Sequence, residues 1–435
     1  MTTAVADTAL GARTIRKMQW RILPFIFLLY VVAYLDRTNV GFAALTMNHE
    51  LGMNAQQFGL VVGFFFIGYF LFEIPSNLLL HRIGARIWIA RILITWGIIA
   101  TLTGLVRNVH ELYGARFLLG LAEAGYYPGV VLYLTYWFRQ RERAMAVAVV
   151  LMGIPITSIV GGPLSGFILD HAHWLEVSSW RWLLILEGIP AVVCGVLAYF
   201  VLPNRPADAK FLEREEKDWI LAELAREEEI KNRQEPISMT QTFSHVRVWH
   251  LAAIQLTALT GLYSLSFWMP QVVKALSSHY SNSAVGLLVV IPQLFGLLCM
   301  VLVSRSSDRR LERRYHAGLS ALVGGVGWFL LSAAASPLVT MVALSLIAIG
   351  VYSFFGPFWA LPSEFLCGYS AASGIAMINS IGNLGGFGGP YAIGYLKDRT
   401  GSMAWGLALV GISMSVSALL LFAFPKKSNL PTNSG

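Results

Sequence analysis

The stretch ILPFIFLLYVVAYLDRTNVGFAALTM, residues 22–47, decides the fold class. As a helix it would run about 39 Å at 1.5 Å per residue, longer than the ~30 Å hydrocarbon core of a bilayer. It is apolar from end to end except near its middle, where Asp36 and Arg37 stand side by side. A charge at the centre of a span costs roughly 2.5–3.5 kcal/mol on insertion scales, so such residues mark ion or ligand pathways. From that depth neither side chain snorkels easily to a membrane surface.

Working outward, similar apolar runs recur along all 435 residues, which are 56% hydrophobic and 13% charged. A soluble chain carries about 25% charged residues. A β-barrel is excluded, because its segments would be near ten residues long and alternate in polarity. The expected fold is therefore an all-α integral membrane protein of about twelve helices, at approximately 20–46, 56–80, 86–106, 112–137, 144–169, 181–202, 248–274, 284–304, 316–335, 338–361, 371–396 and 403–424. Residues 1–19 are polar and basic and the first apolar run is too long for a signal peptide, so that run reads as an uncleaved anchor. Cys194, Cys299 and Cys367 fall in separate apolar segments, which argues for packing rather than a disulfide or a metal.

Charge in the loops sets the orientation. One alternating set of loops holds Arg13, Arg16 and Lys17, then Arg82 and Arg86, Arg139, Arg141 and Arg143, Arg305 to Arg314, and Lys426 and Lys427. The other set is poorer, with Arg107, Lys274, Lys397 and Arg399. The positive-inside rule then puts both termini in the cytoplasm, and it accounts for the net charge of +8 without any nucleic-acid partner. The hydrophilic stretch 203–247 contains FLEREEKDWILAELAREEEI, a charged amphipathic helix that reads as a solvated linker. It divides the chain into a tail (1–19), a first six-helix half (20–202), this central loop (203–247), a second half (248–424) and a second tail (425–435).

The halves echo one another. Gly162-Pro163 recurs as Gly389-Pro390, Arg82 recurs as Arg309 at the identical offset, and Trp20 recurs as Trp249 at an offset only two positions longer. Duplicated six-helix units typify secondary transporters, whose substrate site lies between the halves near the midplane.

The fourth span adds Arg116 and Glu123, seven positions apart and so on one helix face, about 10 Å apart along the axis. Each cluster joins an arginine, whose planar fork grips a carboxylate, to a carboxylate that can take and release a proton. An anion engaging the arginine would leave the carboxylate readier to bind a proton, and that mutual preference is the linkage a symporter needs. An internal salt bridge that merely holds helices together is the bland alternative. Tyr34 and Tyr69 could donate hydrogen bonds to a cargo, Glu73 and Glu187 read as latches, and Asn379 and Asn383 could face the cavity or fasten close helix contacts. His171 and His173 lack a third ligand, so no metal or other cofactor is expected. Both charged clusters lie in the first half, and Glu123 maps onto Gly350 in the second.

YLDRTNVGFA, GYFLFEIPSN, RFLLGLAEAGYYPG, WRWLLILEG, LPSEF and INSIGNLGGFGGPYAIGYLKD together resemble the major facilitator superfamily, and within it the anion:cation symporter family, over nearly the whole chain. LLLHRIGAR resembles the superfamily's signature turn, with His81 where aspartate is usual and Asn77 where glycine is usual. SRSSDRR in the second half keeps Asp308 and Arg309. The resemblance implies proton coupling at Asp36 and Glu123 and anion binding at Arg37 and Arg116. It further implies substrate contacts at Tyr34 and Tyr69, with Trp359, Asn379 and Asn383 from the second half, and gating or structural roles for Arg82, Arg86, Asp308, Arg309 and Glu73. The expected protein is a monomeric bacterial inner-membrane carrier, not an enzyme. It would import a small organic carboxylate (a tartrate-like hydroxy-dicarboxylate, an aromatic acid or a sugar acid) with protons, or sodium as in some branches. The alternative is an exporter of drugs or metabolites; a transporter-like sensor would bind without turnover.

Overall fold

The computed structural model describes residues 2–232, 245–362 and 368–425. The middle of the central loop, LPSEF beyond Pro362, Cys367, Lys426 and Lys427 with the rest of that tail, and the side chain of His81 lie outside the described residues.

The described residues are helical throughout, with no strand. The first half comprises α1 (Thr2–Glu50), α2 (Ala55–Ile83), α3 (Ala85–Thr103), α4 (Val109–Glu123), α5 (Tyr126–Thr135), α6 (Gln140–Leu151), α7 (Gly153–His171) and α8 (Ser179–Val201). The amphipathic linker helix is α9 (Arg214–Asn232). The second half comprises α10 (Val246–Lys274), α11 (Asn282–Arg310), α12 (Arg314–Ser332), α13 (Pro337–Ala360), α14 (Gly368–Asn383), α15 (Gly385–Thr400) and α16 (Ala404–Ala423). Among the described residues ten helical stretches are long and apolar enough to cross a membrane. The glycine- and serine-rich α12 and the broken pair α14–α15 complete about twelve crossings in two pseudo-symmetric halves.

Three spans expected as single helices are broken, each for a local reason. Between α4 and α5, Gly125 has φ +85°, a left-handed conformation that glycine adopts without a Cβ penalty. A Cβ there would also collide with the Ser76 hydroxyl. Between α6 and α7, Pro155 follows Met152 and cannot donate to the helix ladder. Between α14 and α15, Leu384 precedes Gly385, which packs directly on the α10 backbone at Leu256. The first helix also extends far beyond the expected 20–46. Its polar start is held by α9, where Lys17 Nζ donates to Glu216 Oε2 at 2.9 Å and Arg13 Nε donates to Glu216 Oε1 at 3.1 Å.

The halves meet along α1–α10, α2–α15 and α7–α11. Glycines permit the approach: a Cβ on Gly286 of α11 would collide with the Gly162 carbonyl oxygen of α7. With no hydrophobic effect between helices in lipid, such small-residue contacts supply the packing.

Candidate functional site

Between the halves lies a cavity of about 60 Å³, several times the roughly 10–15 Å³ that one water needs. From the first half it is lined by Tyr34 and Arg37 of α1, Tyr69 of α2, Glu123 of α4 and Tyr126 of α5. The second half contributes Gln255 and Tyr263 of α10, Trp359 of α13, and Asn379 and Asn383 of α14.

Arg37 is the centre of this site. Its Nη2 donates to Glu123 Oε1 in a close ion pair, and its Nη1 donates to the Tyr263 hydroxyl at 3.2 Å. The guanidinium carbon lies 5.4–5.6 Å from the ring centroids of Phe65, Tyr69 and Tyr34, within range for cation–π attraction. Tyr263 in turn donates to Asn383 Oδ1 at 2.8 Å. Several cavity-lining polar atoms have no partner: Arg37 Nε, Glu123 Oε2, and the Tyr34 and Tyr126 hydroxyls and Gln255 Oε1. Buried polar groups are normally satisfied. Polar groups converging on an aromatic-lined cavity are the usual composition of a small-molecule site.

The pairing of charges differs from the sequence expectation. Asp36 does not share a site with Arg37, because neighbours on a helix point about 100° apart. Its Oδ2 accepts from Trp96 Nε1 of α3 and its Oδ1 from Asn39 Nδ2 at 3.0 Å. Arg116, expected to grip the cargo, does not reach the cavity wall. It is 2% exposed and lies with its guanidinium carbon 5.0 Å from the Phe65 ring centroid, and its Nε and Nη2 have no hydrogen-bond partner within the protein. Of these four charges, Arg37 and Glu123 are paired between helices at the cavity, while Asp36 is held by Trp96 and Asn39 and Arg116 forms no ion pair among the described residues.

Tyr34, Tyr69, Trp359, Asn379 and Asn383 all line the cavity. Asn379 also spends its amide on Glu73, donating from Nδ2 to Oε1 at 2.8 Å, while Ser380 donates to Glu73 Oε2 at 2.5 Å. Glu73 of α2 therefore ties the first half to α14 of the second. Glu187 accepts from Ser165 at 2.7 Å, joining α8 to α7 within one half. The residues of the two signature turns lie away from the cavity. Arg82 and Arg309 are exposed, Arg86 Nη1 donates to the Leu202 carbonyl at 3.4 Å, and Asp308 accepts from Arg313 of its own half.

Tyr263, Gln255 and Tyr126 escaped the sequence reading. Tyr263 had a signal: it follows Asp36 by the same offset that separates Gly389 from Gly162. The repeat therefore does place a polar residue at the equivalent of the first-half charges. That residue is an uncharged aromatic, so the cost of burying charge does not mark it.

A family model described as "Major Facilitator Superfamily" matches residues 26–390. The chain belongs to the major facilitator superfamily. Among its relatives is a protein named "Putative tartrate transporter" from Agrobacterium vitis, 43% identical over 99% of this chain and 98% of that protein. A "Quinolone resistance transporter" from Acinetobacter baumannii is 38% identical over 94% of each chain. The fold is shared with a solved D-xylose–proton symporter at a TM-score of 0.75 and 16% identity, covering 94% of this chain and 98% of that one. This superfamily member is a multi-pass membrane transporter of small molecules and not an enzyme.

Proposed function

We propose that this chain imports a small organic carboxylate together with protons, with both termini in the cytoplasm. The observation that carries the reading is the Arg37–Glu123 ion pair inside a cavity where the Tyr34 and Tyr126 hydroxyls and Gln255 Oε1 have no hydrogen-bond partner within the protein. While Glu123 is ionised it occupies the Arg37 fork. When Glu123 takes up a proton it lets go, and the fork turns to a cargo carboxylate, with Tyr34, Tyr69, Tyr263 and Asn383 placed to meet hydroxyl or second carboxylate groups. Proton and anion then enter as a pair, and release of the anion lets Arg37 displace the proton again. The cargo favoured is a tartrate-like hydroxy-dicarboxylate, which matches this hydrogen-bonding wall and the name of the 43%-identical relative.

Asp36 is assigned as a second proton site, with Arg116 acting on Asp36 from behind the cavity wall. Glu73 with Asn379 and Ser380 is assigned as a tie between the halves that must break and re-form during transport. The basic ends of α1 and α11 are assigned to the cytoplasmic face, following the positive-inside rule. An exporter is the rival, favoured by the relative named for quinolone resistance.

The test is tartrate uptake into proteoliposomes containing the purified protein, with a pH gradient acidic outside. Accumulation that collapses on adding a protonophore supports proton symport. Accumulation indifferent to proton and sodium gradients overturns it, and flux only in inverted vesicles supports export.

A further inference from the structure

At the end of the molecule opposite the start of α1, the two halves are joined twice by the same device. Asp170 lies in the last turn of α7, where its own helix dipole disfavours an anion. Its carboxylate reaches across to the start of α11. There Oδ1 accepts from the Asn282 backbone N–H at 3.1 Å and side-chain amide at 2.9 Å, and Oδ2 accepts from the Ser283 N–H at 2.7 Å. Asp398 lies in the last turn of α15 and does the same to α2, accepting from the Ala55 and Gln56 N–H groups at 3.2 and 2.7 Å.

The correspondence extends to each neighbour. In both receiving helices the next N–H is taken by the helix's own N-cap, Ser281 for Ala284 at 3.0 Å and Asn54 for Gln57 at 2.8 Å. One helical turn before each aspartate stands a glycine at the point of closest approach. A Cβ on Gly166 would collide with the Asn282 carbonyl oxygen, and one on Gly394 would collide with the Ala55 carbonyl oxygen. The capped pair Ala55-Gln56 maps onto Asn282-Ser283 by the same offset that takes Gly162 to Gly389, and Asp170 maps onto Asp398 to within a single position. The two contacts therefore obey the internal repeat.

The first N–H groups of any helix lack partners within it. Here two of them in each receiving helix are satisfied by the opposite half, and only while the halves touch at this end. We propose that Asp170 and Asp398 form a twin latch that holds this end of the transporter shut, and that both must let go together for the cavity to open there. Because each latch combines a charge with a glycine contact and the two are related by the pseudo-two-fold, releasing one strains the other. Opening is then a concerted swing rather than a peeling apart. The inference depends neither on the cargo nor on the coupling ion, only on the halves moving against each other.

The test places spin labels at Arg107→Cys and His279→Cys, exposed positions at this end of the two halves, in full-length protein whose native cysteines are replaced. Distances are read by pulsed electron resonance in nanodiscs. In the Asp170→Ala/Asp398→Ala variant the population at longer distance should rise at least threefold over the unsubstituted background. The Asp→Asn pair, which keeps an acceptor oxygen but no charge, should fall between, and this milder pair carries the test if the alanine variant does not fold. A wild-type distance distribution in whichever double variant folds overturns the latch. A rise in one single-alanine variant as large as that in the double variant overturns the concerted pair.

Discussion

Arg37 of α1 and Glu123 of α4 form an ion pair across the first half, on the wall of the cavity between halves. Their side chains are 12% and 1% exposed, so each holds the other's charge where little water reaches. Breaking such a pair by removing one partner costs about 3–5 kcal/mol, because a charge is left uncompensated. In the proposed cycle, that cost is what would tie the proton to the cargo.

Glu123→Gln imitates the protonated state permanently. Accumulation of tartrate driven by a pH gradient should fall at least tenfold, while exchange of internal for external tartrate persists because Arg37 is free to bind. Exchange and gradient-driven uptake are measured in the same proteoliposomes. Unchanged pH-driven accumulation would remove Glu123 from the coupling.

Arg37→Lys keeps the charge and loses the bidentate fork. Tartrate affinity by isothermal calorimetry should weaken at least tenfold, which is about 1.4 kcal/mol. Arg116→Ala should instead lower the melting temperature while leaving tartrate affinity within about threefold, and the double variant Arg116→Ala/Asp36→Asn should recover part of that loss in thermal unfolding. Equal losses in the single and double variants would mean that the two charges do not interact.

Tyr263→Phe removes one hydroxyl that accepts from Arg37 and donates to Asn383. The ring, packed 4.3 Å from that of Phe66 between centroids, is retained. The apparent KM for tartrate should rise several-fold with an unchanged melting temperature. A melting shift without a KM change would make the contact structural only.

The α9 brace should respond to acid. Burial by itself pushes the Glu216 carboxyl up, but the Glu213 N–H, Lys17 and Arg13 together hold it below the usual glutamate range. A carboxylate whose folded-state value is depressed contributes stability above its unfolded value of about 4.3, and that contribution is lost as pH falls through the lower folded value. Arg13 and Glu213 are largely exposed, so the net effect is under about 1 kcal/mol. Glu216→Gln should therefore lower the melting temperature slightly at pH 7 and lose that difference in strong acid. A difference that persists there would contradict the brace.

Much of this protein was legible as sequence. Apolar runs longer than the bilayer core, few charges in their interiors, and landmarks repeating at nearly one offset point to a duplicated helical membrane protein, because hydrocarbon leaves the backbone few other options. The same physics singled out Asp36, Arg37, Arg116 and Glu123, since a charge stranded in lipid must have a use. What only the tertiary structure decided is which charge meets which. Sequence spacing gives the angle between side chains on one helix, but not how that helix is rotated against its neighbours. Packing turned Arg37 to the cavity and Asp36 toward Trp96, sent Arg116 behind the wall, and brought in the unmarked Tyr263. It also set Asp170 and Asp398 against helix starts far away in the chain, a pairing that spacing along one helix cannot encode.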